Sequence, residues 1–248
     1  MSQRADATHA DPSSDGRLRL CLATHNEHKV VELRALLALH APTLASRLHL
    51  LSLSDVGVRE AAVEDGPDCR ENALIKARHA AFHTGLWSLA DDSGLEVEAL
   101  AGAPGVHSAR FGGSPAPGQS QDARNRQVLL ARMADIPRPQ RAARFVCVLC
   151  LHPPGSSASA VGPVVPPSAV SFAEGACRGW LLLSESGSGG FGYDPLFVPD
   201  AAELQQAGLA AARAGLSFGL LSPEEKNRLS HRTRAVVALI PALTALCP

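Results

Sequence analysis

The chain has 248 residues, 46% of them hydrophobic, and a formal net charge of -1. That is enough for one large domain or two small ones with a sizeable core, and it gives no global pull toward nucleic acid or an anionic membrane. No apolar run approaches the roughly 18 residues of a membrane span. The first 17 residues are polar and lack an apolar signal stretch, so a disordered arm on a cytoplasmic protein is expected.

The alternating run Leu18-Arg19-Leu20-Cys21-Leu22-Ala23 predicts a strand, followed by a polar loop from Thr24. A helix from about Glu27 to Leu39 carries Val30, Leu33 and Leu37 at helical spacing, and Leu48 to Leu53 reads as a second short strand. Asp68-Cys69-Arg70-Glu71 has the form of a capping box and predicts a helix ending near Gly85. Leu86 to Ala90 reads as a buried strand that should deliver Asp91 and Asp92 at its C-terminal edge, where open α/β sheets place their ligands. A helix is predicted from Asp122 to Asp135, with strands within Phe145–Leu151 and Val170–Leu183. Between those strands, residues 152–168 are rich in Pro, Gly, Ser and Ala and read as a loop insertion. Ser222-Pro223-Glu224-Glu225 predicts one helix running to about Ile240, ahead of Pro241, with Leu229, Val236, Val237 and Ile240 as its apolar stripe. Asn227, His231 and Arg234 fall on another face of it. Strands alternating with helices predict an α/β fold, with residues 18–248 as a single domain.

Cys147 and Cys150 have CxxC spacing, but a strand would point the two thiols to opposite faces, so buried free cysteine is the better reading than a metal site. Of 23 basic residues only Lys29, Lys76 and Lys226 are lysines. Where surface charge is drawn as Arg, a Lys suits a site wanting a compact point charge. Tyr193 is the single tyrosine.

Four segments offer chemistry. Asp91-Asp92-Ser93-Gly94, joined by Glu64, gathers carboxylates that suit Mg²⁺, although an acidic turn has the same composition. Thr24-x-Asn26-x-x-Lys29 places a polar loop and a lysine at a helix N-terminus, an anion site or a plain turn. In Ser188-Gly189-Gly190-Phe191-Gly192-Tyr193-Asp194-Pro195, glycines allow close backbone approach and two aromatics offer faces to a base, with Asp194 as an acceptor. A Gly-rich hairpin with its aromatics in the core reads equally well. Lys226 with Ser230-His231-Arg232 could meet a phosphate or a base. Arg124, Arg126, Arg132, Arg138, Arg141 and Arg144 form a modest basic stretch, read as a solvated helix face.

Taken in order, these segments resemble the inosine/xanthosine triphosphate pyrophosphatases, enzymes of non-canonical purine nucleotides. The matching stretches are Leu22-Ala23-Thr24-His25-Asn26-Glu27-His28-Lys29, Glu71-Asn72-Ala73-Leu74-Ile75-Lys76-Ala77-Arg78 and Ala90-Asp91-Asp92-Ser93-Gly94-Leu95. Further along come Gly102 to Phe111, Gly190-Phe191-Gly192-Tyr193-Asp194-Pro195, Glu224-Glu225-Lys226-Asn227 and Ser230-His231-Arg232. The resemblance implies a long mixed central sheet flanked by helices, with two lobes and a nucleotide cleft between them. It implies a homodimer and Mg²⁺-dependent hydrolysis of ITP, dITP and XTP to the monophosphate and pyrophosphate, cleansing the nucleotide pool. By the same resemblance, Thr24, Asn26, Lys29 and Lys76 hold the phosphates, with Arg110 near them. Glu64 and Asp92 hold the metal, and Asp92 is the base for the attacking water, supported by Asp91. Ser93, Phe191, Gly192, Tyr193, Asp194, Lys226, His231 and Arg232 line the nucleotide pocket. No nucleic-acid or membrane partner is expected.

The sequence departs from the family pattern at His25, where Gly is usual, and at Leu220, where Glu is usual. The alanine-rich stretch from Asp200 to Phe218 is longer than usual and is expected to add a helix. Two alternatives stay open: a pyrophosphatase for another modified or pyrimidine nucleotide, and a non-catalytic nucleotide or nucleic-acid binding module.

Overall fold

The computed structural model describes residues 16–155 and 169–247. The expected arm lies outside these residues apart from Gly16 and Arg17, as does the loop insertion from 156 to 168.

Among the described residues, six strands form one sheet: β1 (Leu18–Leu22), β2 (Leu48–Ser52), β3 (Trp87–Val97), β4 (Ala142–His152), β5 (Ser171–Leu181) and β6 (Phe197–Pro199). Their order is β2-β1-β3-β4-β5-β6. β1 pairs in parallel with β2 and β3, and the remaining pairs are antiparallel, so the sheet is mixed as expected. The change of sense falls on β3. β1 accompanies β3 only from Trp87 to Leu89, whereas β4 stays with it as far as Val97. The strand therefore does not end at Ala90 as the sequence predicts. It runs on through both carboxylates, because Asp91 and Asp92 keep backbone partners opposite Leu149 and Val148. The pair still lies where β1 stops, so the strand-end logic holds for β1 and fails for β3.

Among the described residues, seven α-helices accompany the sheet: α1 (Glu27–His40), α2 (Pro42–Arg47), α3 (Cys69–Thr84), α4 (Gln121–Arg132), α5 (Ala201–Gln206), α6 (Pro223–Leu229) and α7 (His231–Ala245). α1 and α7 cover one face, packing Leu33, Leu36, Leu239 and Leu243 on Leu20, Leu22, Leu89 and Leu149. α3 covers the other with small residues, Ala73, Ala77 and Ala80, against Cys21, Ala90, Val148 and Cys150. Small side chains bring α3 close to the sheet. A third cluster, with Leu95, Phe145, Phe197 and Phe218, fills the far half of β3–β5. Cys147 packs on the α1–α7 face and Cys150 on the α3 face, and all six cysteines are free and buried. The alternation predicted for the CxxC pair is thus met.

Local chemistry explains the helix ends. The Asp68 carboxylate accepts the Glu71 N–H at 2.8 Å, and Gly85 closes α3 at φ 65°, where a side chain would be strained. The predicted helix from Ser222 to Ile240 is two helices. Ser222 and Glu225 form a reciprocal capping box on α6, which stops at Leu229. Ser230 is extended and its hydroxyl accepts the Thr233 N–H at 3.1 Å, capping α7 anew. Pro241 lies inside α7 rather than beyond it. Its missing hydrogen bond falls on the side where Val237 is 45% exposed, while Leu239 and Leu243 remain buried by continuing the helix. In the alanine-rich stretch the expected helix is the short α5, followed by one 3-10 turn at Ala211–Arg213.

Candidate active site

Alternation along β3 divides the two carboxylates between the faces of the sheet. Asp91 points toward α1 and α7. Its Oδ1 takes Lys29 Nζ at 2.5 Å and the Ser93 hydroxyl at 2.9 Å, and its Oδ2 takes Arg232 Nε at 2.7 Å. Lys29 also donates to the Asp91 carbonyl at 3.2 Å, a group on the stretch of β3 that β1 no longer accompanies. Arg232 reaches on to Glu32 Oε2 at 2.5 Å, and Lys226 lies 3.6 Å from Glu32 Oε1 and 2.7 Å from Asp194 Oδ2. Three cations thus alternate with three carboxylates in one chain: Lys29, Asp91, Arg232, Glu32, Lys226, Asp194. Burial alone would raise the Asp91 carboxyl, but the Arg232 and Lys29 charges outweigh it and hold Asp91 well below the usual carboxylate range.

Asp92 faces α3. Its carboxylate pairs with Lys76 Nζ, which also lies 3.5 Å from Glu64 Oε2. Here burial wins: Asp92 is raised above its ordinary value in spite of Lys76. Lys76 is raised in turn, because Asp92 and Glu64 outweigh its own desolvation. Arg110 donates to the Glu64 backbone carbonyl at 3.1 Å, which places it beside this cluster. Two carboxylates thus share one ammonium, and their oxygens are the donor type that Mg²⁺ takes.

A cavity of about 120 Å³ opens on the α1–α7 side. Of the predicted residues it is lined by Asn26, Lys29, Ser93, Phe191, Gly192, Tyr193, Asp194, Lys226, His231 and Arg232. The break at Ser230 is what brings the latter two here, by setting His231 and Arg232 on the first turn of α7. Phe191 presents a ring face: His28 stacks on it at 5.5 Å and Lys226 Nζ sits 4.6 Å from its centroid. His231 is buried, stacks on Phe145 at 4.8 Å, and its Nδ1 has no hydrogen-bond partner. Burial, then Arg232 and Lys226, push its imidazole well below the ordinary value, so it is neutral. A neutral ring with an unpaired buried nitrogen is equipped to exchange one hydrogen bond with a ligand.

Several expectations are redirected. Tyr193 lines the cavity with Phe191 but is buried, and its hydroxyl is already engaged, donating to the Ser108 carbonyl at 2.9 Å. Asp194 is also turned inward, accepting the Phe191 N–H at 2.9 Å and Lys226. Gly190 at φ 71° is needed there, since a Cβ would collide with that carboxylate. In the first loop Thr24 Oγ1 accepts the Asn26 N–H at 3.0 Å, and Asn26 Oδ1 accepts the N–H groups of His28 and Lys29. The α1 N-terminus is therefore capped by its own side chain, leaving the Lys29 ammonium as the anion-directed group. The six arginines do not form one solvated helix face: Arg132, Arg138 and Arg144 are exposed but lie on different elements, and Arg141 is buried. Arg141 is 1% exposed and donates to the carbonyls of Leu181, Met133, Ile136 and Leu182. Arg144 pairs with Glu96, Arg126 with Glu185, and Arg132 and Arg138 lie over Phe111 and Trp180. Arg124 donates to the Gly112 carbonyl at 3.0 Å.

A family model described as the Ham1 family matches residues 20–242. The chain belongs to the Ham1 family. Among Ham1 relatives, it is 45% identical over 227 residues to the dITP/XTP pyrophosphatase of Mycolicibacterium paratuberculosis, covering 92% of this chain and 96% of that one. It is 42% identical over 230 residues to the dITP/XTP pyrophosphatase of Methylococcus capsulatus, covering 93% and 98%. A solved HAM1 protein from Coxiella burnetii superposes with a TM-score of 0.68 at 32% identity, over 92% of this chain and 99% of that one.

In this Ham1 chain the structure adds residues that the sequence reading passed over. Glu32 is buried and links Arg232 to Lys226, yet in sequence it is one more charge on an amphipathic helix. Its position three residues after Lys29, on the same helix face, is the signal available. Asp122 accepts the Gly192 N–H at 2.7 Å, and Asn125 ties Gly112 to the Ser108 and Ala109 carbonyls. No spacing marks either, because their partners lie in distant loops.

Proposed function

We propose that this protein hydrolyses non-canonical purine nucleoside triphosphates such as dITP, ITP and XTP to the monophosphate and pyrophosphate, and so clears them from the nucleotide pool. The observation that carries the reading is the splitting of Asp91 and Asp92 by β3. One carboxylate is fixed as an anion among cations, and the other is raised by burial beside Lys76 and Glu64. The kinship to proteins named dITP/XTP pyrophosphatase supplies the substrate class.

In this reading the base enters the cavity against Phe191 and displaces His28 from its ring. Neutral His231 exchanges a hydrogen bond with the base edge. A site holding a donor for a 6-oxo group rejects a 6-amino purine, whose own donor would leave it unpaired. The cavity of about 120 Å³ is small beside the roughly 300 Å³ and upward of whole-ligand pockets. It takes the base, and the triphosphate lies outside it along β3, in the cleft between two lobes. Lys29 and Lys76 face the phosphates as point charges, with Arg110 behind Glu64. Asn26 and Thr24 shape the loop that aims Lys29. Glu64 and Asp92 would hold Mg²⁺, which when bound neutralises phosphate charge and polarises the phosphoryl oxygens. Asp92, its proton affinity raised by burial, takes a proton from the water that attacks the α-phosphorus, and pyrophosphate leaves. Lys76 stabilises the charge that develops. Asp91 anchors Lys29 and Arg232 in place. Assembly as a homodimer in the cytoplasm, and residues 18–248 as one domain, complete the reading.

A panel of triphosphates at equal concentration with Mg²⁺ tests it. Pyrophosphate from dITP, ITP and XTP, with the 6-amino purine ATP turned over slowly, is expected. Inorganic phosphate as the product, or no preference for the 6-oxo purines over ATP, overturns it.

A further inference from the structure

Away from the carboxylates of β3, α3 carries His79 and His83 on adjacent turns of one face, with ring centroids 4.3 Å apart. Glu60, from the segment between β2 and α3, meets them. One ligand atom from each of the three side chains lies within 4.8 Å of the other two. Around a tetrahedral zinc ion with bonds of about 2.05 Å, ligand atoms stand roughly 3.4 Å apart, so a rotamer adjustment closes the set. We propose that Glu60, His79 and His83 form a binding site for a divalent transition ion of the zinc class, which clasps the β2–α3 segment to α3.

The donor set selects the ion. Two imidazoles and one carboxylate match a three-ligand zinc site with a fourth position left to water, whereas Mg²⁺ prefers oxygen donors alone. The site is partly open, with His79 half-buried and Glu60 and His83 exposed, so an ion can enter without unfolding the chain. His25, from the loop after β1, stands nearby: its Nε2 meets the Val58 carbonyl at 3.0 Å. A carbonyl only accepts, so Nε2 carries a proton there.

The consequence is mechanical. Glu60 lies four residues before Glu64, and Lys76 three residues before His79. An ion on Glu60, His79 and His83 ties together the two segments that deliver Glu64 and Lys76 to Asp92. It is distinct from those three residues and does not depend on what they do.

The test is calorimetric titration of the full chain with zinc in excess Mg²⁺, paired with thermal melts. One saturable equivalent is expected. His83→Ala and Glu60→Gln should each weaken it roughly tenfold or more, since loss of an outer-sphere partner alone typically costs that much. At zinc about 100 times its Kd the melting midpoint should rise by roughly 5–10 °C, and that rise should vanish in His83→Ala. Absence of saturable binding overturns the proposal. So does binding that survives His83→Ala but is lost in Asp92→Asn, which would place the ion on the β3 carboxylates. Binding lost in His83→Ala but unchanged in Glu60→Gln reduces the site to a surface histidine pair and overturns the clasp.

Discussion

Arg232→Met is the perturbation that bears hardest on the buried charge chain. Arg232 is 1% exposed and serves two carboxylates, Asp91 at 2.7 Å and Glu32 at 2.5 Å. Methionine keeps most of the volume and removes the charge. Asp91 retains Lys29 and Ser93, but Glu32 is left with Lys226 at 3.6 Å, too long for a good hydrogen bond. Breaking a buried pair by removing one partner costs about 3–5 kcal/mol, because the other charge stays buried. Against a typical total of about 5–15 kcal/mol that is a large fraction. At roughly 2–4 °C per kcal/mol for a chain of this size, the melting midpoint should fall by about 6–20 °C. Urea denaturation of Arg232→Met, Glu32→Gln and the double variant measures it. The double variant should lose less than the sum of the singles, since Glu32→Gln removes one of the stranded charges. A loss below about 1 kcal/mol in Arg232→Met, or strict additivity, would refute the claim that the chain is electrostatically closed.

Other expectations follow from the same contacts. His231 is held neutral in the fold, with its pKa well below the ordinary 6.5. Below that pH the unfolded chain takes up a proton that the folded chain does not. Stability present above pH 6.5 is therefore lost as pH falls, at about 1.4 kcal/mol per unit for this one site. His231→Gln should flatten the stability profile between pH 6 and pH 5 by about that slope, and parallel profiles would contradict the assignment. A Cβ on Gly94 would stand 2.5 Å from the Gly105 carbonyl, so Gly94→Ala should cost about 1–3 kcal/mol in chemical denaturation; wild-type stability would show that the Gly105 turn yields freely. Phe191→Ala should raise KM for dITP with a smaller change in kcat, because it removes stacking from ground and transition states alike. An unchanged KM would take the base off Phe191.

Much of this arrangement is legible in the sequence because it is local. Alternating and apolar runs mark β1, β4 and β5, helical spacing marks α1, and cap chemistry marks the starts of α3 and α6. The three lysines stand out by rarity, and each is found on a carboxylate: Asp91, Asp92 or Asp194. What escapes is set by partners distant in sequence. The length of β3 depends on β4 following it past the carboxylates, which no window around Asp91 contains. The stop at Ser230 competes with a continuous helical pattern and wins because Ser caps α7 while Arg232 reaches Asp91. Tyr193 and Asp194 both line the cavity, but in the fold their polar atoms are engaged by the Ser108 carbonyl, Lys226 and the Phe191 N–H, partners that no local window shows. Glu32 hides among ordinary helix charges until α7 lies across it.

The central claim is that the carboxylate raised by burial on β3 takes the proton of the water that cleaves the triphosphate. Pyrophosphate release from dITP by Asp92→Asn, with melting and circular dichroism confirming the fold, tests it most directly. Loss of a general base predicts turnover down by about 100-fold or more with the fold intact. Turnover within about tenfold of wild type would remove Asp92 from the chemistry and move the reacting centre elsewhere.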